Sequence, residues 1–111
     1  MNKKQAIEFK KVIEQFRLID PEIQAQTILT LINTYLNQEK TDGYSVTDMA
    51  NELGLSQASA SRNVMVWSKL TRKKQAGPDF IAATECPVNR SRKRLSLTQK
   101  GINFLELLFP S

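Results

Sequence analysis

Histidine is absent from this 111-residue chain, and its single cysteine, Cys86, has no second thiol to pair with. The commonest general base and a common zinc ligand are therefore missing. No phosphate-cradling G-x-x-x-x-G-K-[ST] loop, G-x-S-x-G elbow or paired-cysteine spacing occurs either. No catalytic residue, metal site or cofactor is expected. The chemistry left to this sequence is that of positive charge. Between Ser56 and Lys100 ten basic residues face only Asp79 and Glu85, whereas the first 55 residues carry six basic and eight acidic ones. The cations gather at 69–74 and 90–94, with Arg62 upstream. Such polarisation, within a net charge of +5, is the footprint of a surface that meets a polyanion.

Those cations need elements to hold them. Ile7, Phe9, Val12, Ile13, Phe16 and Ile19 recur at three- and four-residue steps, which predicts a helix over 3–19. Asp20-Pro21 reads as a cap and first position for a second helix, running to about Gln38 with an apolar stripe of Ala25, Ile28, Leu29, Ile32, Tyr35 and Leu36. "KTDG" at 40–43 is a turn. Ser45 and Asp48 form a variant capping box opening a short helix that buries Val46, Met49, Ala50 and Leu53. Gly54 ends it in a left-handed conformation, and Ser56 caps a new helix over 57–69 with Ala60, Val64 and Trp67 inward. "FIAATE" (80–85) and "RKRLSL" (92–97) have strand composition and flank a loop at 86–91. Thr98 caps a last amphipathic helix over 99–109, with Ile102, Leu105, Leu108 and Phe109 on one side.

Helix, glycine turn, helix and hairpin in this order predict a mainly α fold with a small β-hairpin, a winged helix-turn-helix with additional N- and C-terminal helices. The expected organisation is one domain over 1–111: a helix in 1–20, a winged-helix core over 21–98 and a closing helix over 99–111. "LSLTQKGINFLELL" resembles the "LT-x-K-G" junction between wing and last helix in the multiple-antibiotic-resistance-regulator (MarR) family. "SVTDMANELGLSQASASRNV" is similar to that family's helix-turn-helix, with Ser56, Gln57, Ser61, Arg62 and Val64 at positions where similar types are typical. The resemblance spans roughly residues 21 to 108. It implies a transcriptional regulator that binds double-stranded DNA, with wing contact through Arg90. The chain departs from the family at "VNRSRKR", where Asn89 replaces an expected acidic residue, and both terminal helical regions are short. For that reason no small-molecule effector is expected.

The helix over 57–69 is then the reading element, with Gln57, Ala58, Ser59, Ser61, Arg62 and Met65 as candidate base-edge or close backbone contacts. Ser45, Thr47, Lys69, Arg72, Lys73, Lys74, Asn89, Arg90, Arg92, Lys93 and Arg94 are candidates for phosphate or wing contact. Phe9, Ile13 and Phe16, with Phe104, Leu105, Leu108 and Phe109, are natural elements of a homodimer reading a palindrome as a repressor. The competing arrangement packs both helices on one chain. A rival function is a protein-interaction module docking another regulator or a replication complex through Met65 and Val66. No apolar run approaches a membrane span and no signal sequence opens the chain, so a cytoplasmic protein without a membrane partner is expected. Cys86 is read as a bystander thiol at the tip of the wing.

Overall fold

The computed structural model describes residues 1–71, 73–85 and 93–110. The first helix, α1 (Lys3–Ile19), opens on a capping box: Asn2 Oδ1 accepts the Gln5 N–H at 2.8 Å, and Gln5 Oε1 accepts the Asn2 N–H at 3.1 Å. Phe16 is its one buried residue. Residues 3–11 are exposed, Ile7 and Phe9 included, so the N-terminal half of the helix stands clear of the body.

The second helix begins four residues later than expected, as α2 (Ala25–Asn37). Asp20 does not cap it. Its carboxylate accepts the Glu22 N–H at 2.9 Å and its carbonyl accepts the Ile23 N–H at 3.0 Å. These bonds make a β-turn with proline second, the position that its fixed φ suits. The expected apolar stripe is also displaced. Thr27, Thr30, Leu31 and Thr34 face the core, whereas Leu29, Tyr35 and Leu36 are exposed. Buried hydroxyls are tolerated because each has an acceptor. Thr30 and Thr34 donate to the carbonyls of Gln26 and Thr30, both at 2.8 Å, and Thr27 donates to Asn63.

Then follow α3 (Val46–Leu53), with Ser45 and Asp48 closing the expected capping box, and Gly54 at φ +65° ending it. The buried Tyr44 donates its hydroxyl to Glu52 Oε2 at 3.1 Å, tying the approach of α3 to its last turn. Burial, and then the Glu52 carboxylate, push that phenol above its ordinary value.

The next helix is α4 (Gln57–Val66), three residues shorter than predicted. The Trp67 carbonyl accepts the N–H groups of Phe80 (2.7 Å) and Ile81 (3.0 Å), and Ser68 Oγ donates to the Met65 carbonyl. Those bonds draw the chain out of the helix toward β1 (Ile81–Glu85). This strand pairs antiparallel with β2 (Lys93–Leu97), Ile81 opposite Leu97 and Ala83 opposite Leu95. The other edge of β2 meets Tyr44, whose carbonyl accepts the Leu95 N–H at 2.7 Å.

The closing helix is α5 (Gln99–Leu108). Thr98 joins it to the hairpin three ways. Its Oγ1 accepts the Gly101 N–H at 3.1 Å and donates to the Asp79 carbonyl, and its N–H donates to the Phe80 carbonyl at 3.0 Å. Gly101 lies so close to Phe80 that a Cβ there would collide with the Phe80 backbone. The "LTQKG" sequence is therefore a joint between strand and helix. Gly101→Ala should lower stability by about 1–3 kcal/mol, read as a reduced urea midpoint from the emission of Trp67. An unchanged midpoint would contradict this packing.

Candidate nucleic-acid interface

The inner face of α4 carries Ala60, Asn63 and Val64, all buried. On the opposite side Gln57, Ala58, Ser61 and Arg62 are exposed, while Ser59 and Met65 are half-buried. Positions 58, 61, 62 and 65 form one strip along the helix, as the 3.6-residue repeat requires. Arg62 makes no hydrogen bond or ion pair with any described residue, so its guanidinium fork is available. It borders two shallow clefts of about 430 Å³ each. One reaches toward Asp20 and Glu22 at the α1–α2 corner, and the other toward Met65, Thr71, Lys73 and Pro78.

The N-termini of α3 and α4 lie side by side. Thr47 Oγ1 and Gln57 Oε1 are 3.2 Å apart and both residues are exposed. Ser56 Oγ accepts the Ser59 N–H at 3.1 Å, capping α4. Ser45 is different, because it is buried and its side chain accepts the Asp48 N–H. Its hydroxyl belongs to the capping box and does not reach the surface as expected of a phosphate contact.

Beyond α4 the chain folds into a tight basic turn. Leu70 bridges to Ala76, the Thr71 N–H donates to the Gln75 carbonyl at 2.9 Å, and Lys74 takes φ +61°. Gly77 is wedged so closely under the Ser68 carbonyl that a Cβ would not fit. Lys69, Lys73 and Lys74 are exposed on this turn, and Lys93 is exposed where β2 begins. Arg94 is turned the other way. It is half-buried and donates to the Gln38 carbonyl at 3.2 Å, with Nε buried and unpaired, so it braces the C-terminal end of α2 and does not join the outer cations. Arg72, Asn89, Arg90 and Arg92, like Cys86, lie outside the described residues.

Two residues that the sequence reading passed over hold α4 in place. Thr27 Oγ1 donates to Asn63 Oδ1 at 2.6 Å, and the Thr27 carbonyl accepts the indole N–H of Trp67 at 2.8 Å. An asparagine at i+3 from the inward Ala60 and adjacent to Val64 was the available signal.

Similarity to known proteins lies in structure. No family model matches the chain, and no curated protein matches it by sequence. Among solved structures, the S. aureus MepR–DNA complex superposes with a TM-score of 0.65 at 24% identity, covering 94% of this chain and 66% of that one. S. aureus MepR bound to ethidium bromide gives 0.64 at 25% identity, covering 95% and 67%. The transcriptional regulator SlyA gives 0.62 at 21% identity, covering 95% and 63%. The chain thus spans about two thirds of the length of these proteins. Among the described residues, five helices and an antiparallel hairpin form a winged helix-turn-helix. The fold is that of the MarR-like winged-helix regulators.

The serine and the threonine at the opening of α3 should separate by experiment. Ser45→Ala should cost about 1 kcal/mol of folding stability through loss of the cap, whereas Thr47→Ala, on an exposed side chain, should shift the thermal midpoint little. Equal shifts would contradict the placement of Ser45.

Proposed function

We propose that this protein is a transcriptional regulator that binds double-stranded DNA sequence-selectively, as a dimeric repressor acting from a single domain in the cytoplasm. The observation that carries the reading is the outer strip of α4. Arg62 has no hydrogen-bond or ion-pair partner among the described residues, small residues stand beside it, and exposed lysines flank the helix end. Gln57, Ala58, Ser59, Ser61, Arg62 and Met65 would face the major groove, the small side chains letting the backbone approach and Arg62 forking onto a guanine or phosphate. Lys69, Lys73, Lys74 and Lys93, with Arg72, Arg90 and Arg92, would neutralise phosphates and supply most of the affinity through counterion release, while Thr47 and Asn89 would hydrogen-bond to phosphate oxygens. MepR, which shares the fold, has been solved bound to DNA, and this supports the assignment. No catalytic role enters the reading. No helix among the described residues is long and apolar enough to cross a membrane. Met65 and Val66 are half-buried, and Val66 packs against the core, so the apolar patch that a protein-docking reading requires is small.

Dimerisation is supported by what α1 and α5 leave uncovered. Ile7, Phe9, Leu107 and Phe109 are exposed. Between the two helices lies a cleft of about 440 Å³ lined by Val12, Phe104, Leu107 and Leu108. A second copy would cover these apolar surfaces and place two α4 helices about one duplex turn apart.

Titration of labelled duplex DNA at several salt concentrations tests the first reading. Binding should weaken steeply with salt, and Arg62→Ala should cost about 1–3 kcal/mol, roughly 5- to 150-fold, on a preferred site. Absence of binding at low salt would overturn the assignment. Light scattering after gel filtration tests the second. The wild-type chain should run as a dimer and Phe9→Asp/Leu107→Asp as a folded monomer, whereas a monomeric wild type at micromolar concentration would refute the dimer.

A further inference from the structure

The inner face of α4 is poor in apolar anchors. Ala60 and Val64 are its buried hydrophobic residues, and an alanine methyl offers little resistance to rotation or sliding. Contacts of that kind are not directional. A buried polar pair supplies the direction. Asn63 is 6% exposed, and Thr27 on the first turn of α2 is 7% exposed. Asn63 Nδ2 donates to the Ser59 carbonyl at 2.9 Å, an acceptor that the amide oxygen could not serve. That contact fixes which way the amide points. It leaves Oδ1 for the Thr27 hydroxyl, 2.6 Å away. One turn further along, the Thr27 carbonyl accepts the indole N–H of Trp67. A single residue of α2 therefore grips α4 and its C-cap at two points.

We propose that Thr27 and Asn63 are positioning residues for DNA recognition, their hydrogen bond setting the rotation of α4 about its own axis and hence which base edges its outer strip can meet. The inference rests on the assignment of α4 as the reading helix. Arg62 is the immediate neighbour of Asn63, about 100° around the helix. An extended guanidinium lies about 9 Å from the axis, so a rotation of about 20° moves it by about 3 Å, the length of a whole hydrogen bond. Such a rotation scarcely changes the attraction between lysines and phosphates. It abolishes a bidentate base contact. The pair therefore governs selectivity more than affinity.

The test separates positioning from stability. Thr27→Val is close in shape but leaves the Asn63 oxygen buried and unsatisfied, so it should lower both the urea midpoint and selectivity. Thr27→Val/Asn63→Leu replaces both partners with apolar groups, which can be nearly neutral for folding. This double variant should regain most of the wild-type midpoint. Its preference for the duplex that wild type enriches from a random pool, measured against random duplex at fixed salt, should stay at least tenfold lower. Affinity for random duplex and its salt slope should remain within about twofold. Thr27→Ser keeps the hydroxyl and should keep the preference. A double variant with wild-type midpoint and wild-type preference would overturn the proposal, reducing the pair to a structural bond. If the double variant does not fold, Thr27→Val against Thr27→Ser decides, and equal preferences in those two overturn it. A wild-type chain that binds no duplex overturns the regulator assignment itself, and this inference with it.

Discussion

The buried indole of Trp67 lies where α1, α2, α4 and the approach to β1 converge. Its ring stacks on Phe80 at 5.8 Å and 11° and meets Phe16 of α1 edge-on at 6.2 Å. Its N–H reaches the carbonyl of Thr27 on α2, and its own carbonyl accepts the two N–H groups that start β1. Phe104 of α5 completes the cluster, 4.8 Å from Phe80 and 5.4 Å from Phe16. Aromatic pairs in such offset or edge geometries contribute about 0.5–1.5 kcal/mol each beyond their burial. The position of α4 relative to the hairpin and to both terminal helices is thus set by one residue at its C-cap. Removing the ring would open the centre of the core, and removing only the N–H would break the bond that ties the C-cap of α4 to α2.

Around that centre, the "LTQKG" sequence joins the strand pair to the last helix. Thr98 caps α5 and is itself held by Asp79 and Phe80, so the helix cannot tilt without distorting the hairpin. Gly101 brings α5 against the backbone of Phe80, and the closeness of that approach allows Phe80 and Phe104 to stack. The start of β1 and the last helix are therefore tied together through backbone contacts.

The two faces of α4 divide the labour by polarity. Outside, small side chains and the Arg62 guanidinium face solvent; inside, a buried amide and the small apolar side chains of Ala60 and Val64 face the core, with Val66 packed against it. The surrounding cations are similarly graded. Lys73 and Lys74 sit on a turn stiffened by Thr71 and by the close packing of Gly77, whereas Arg94 is withdrawn to the end of α2. Cation count alone would treat them alike.

Sequence by itself determined the order of the elements, the capping residues Ser45, Ser56 and Thr98, the left-handed Gly54 and the inward set Ala60, Val64 and Trp67. These are local features, decided by backbone geometry and hydrogen bonds within three or four residues. That order predicted the winged helix-turn-helix, which the superposition on MepR and SlyA supports, and the resemblance of two short motifs pointed to the MarR family. Tertiary structure decided what depends on a distant partner. The apolar pattern of α2 pointed to leucines and a tyrosine as its buried face, yet threonines are buried there because their hydroxyls find carbonyls one turn back or, for Thr27, an asparagine 36 residues away. Pro21 sits in a turn because the side chain of Asp20 folds back onto it. Likewise α4 ends at Val66 because Phe80 and Ile81 take the Trp67 carbonyl. No local rule weighs such competitors, since each brings together groups whose separation along the chain says nothing of their distance in space.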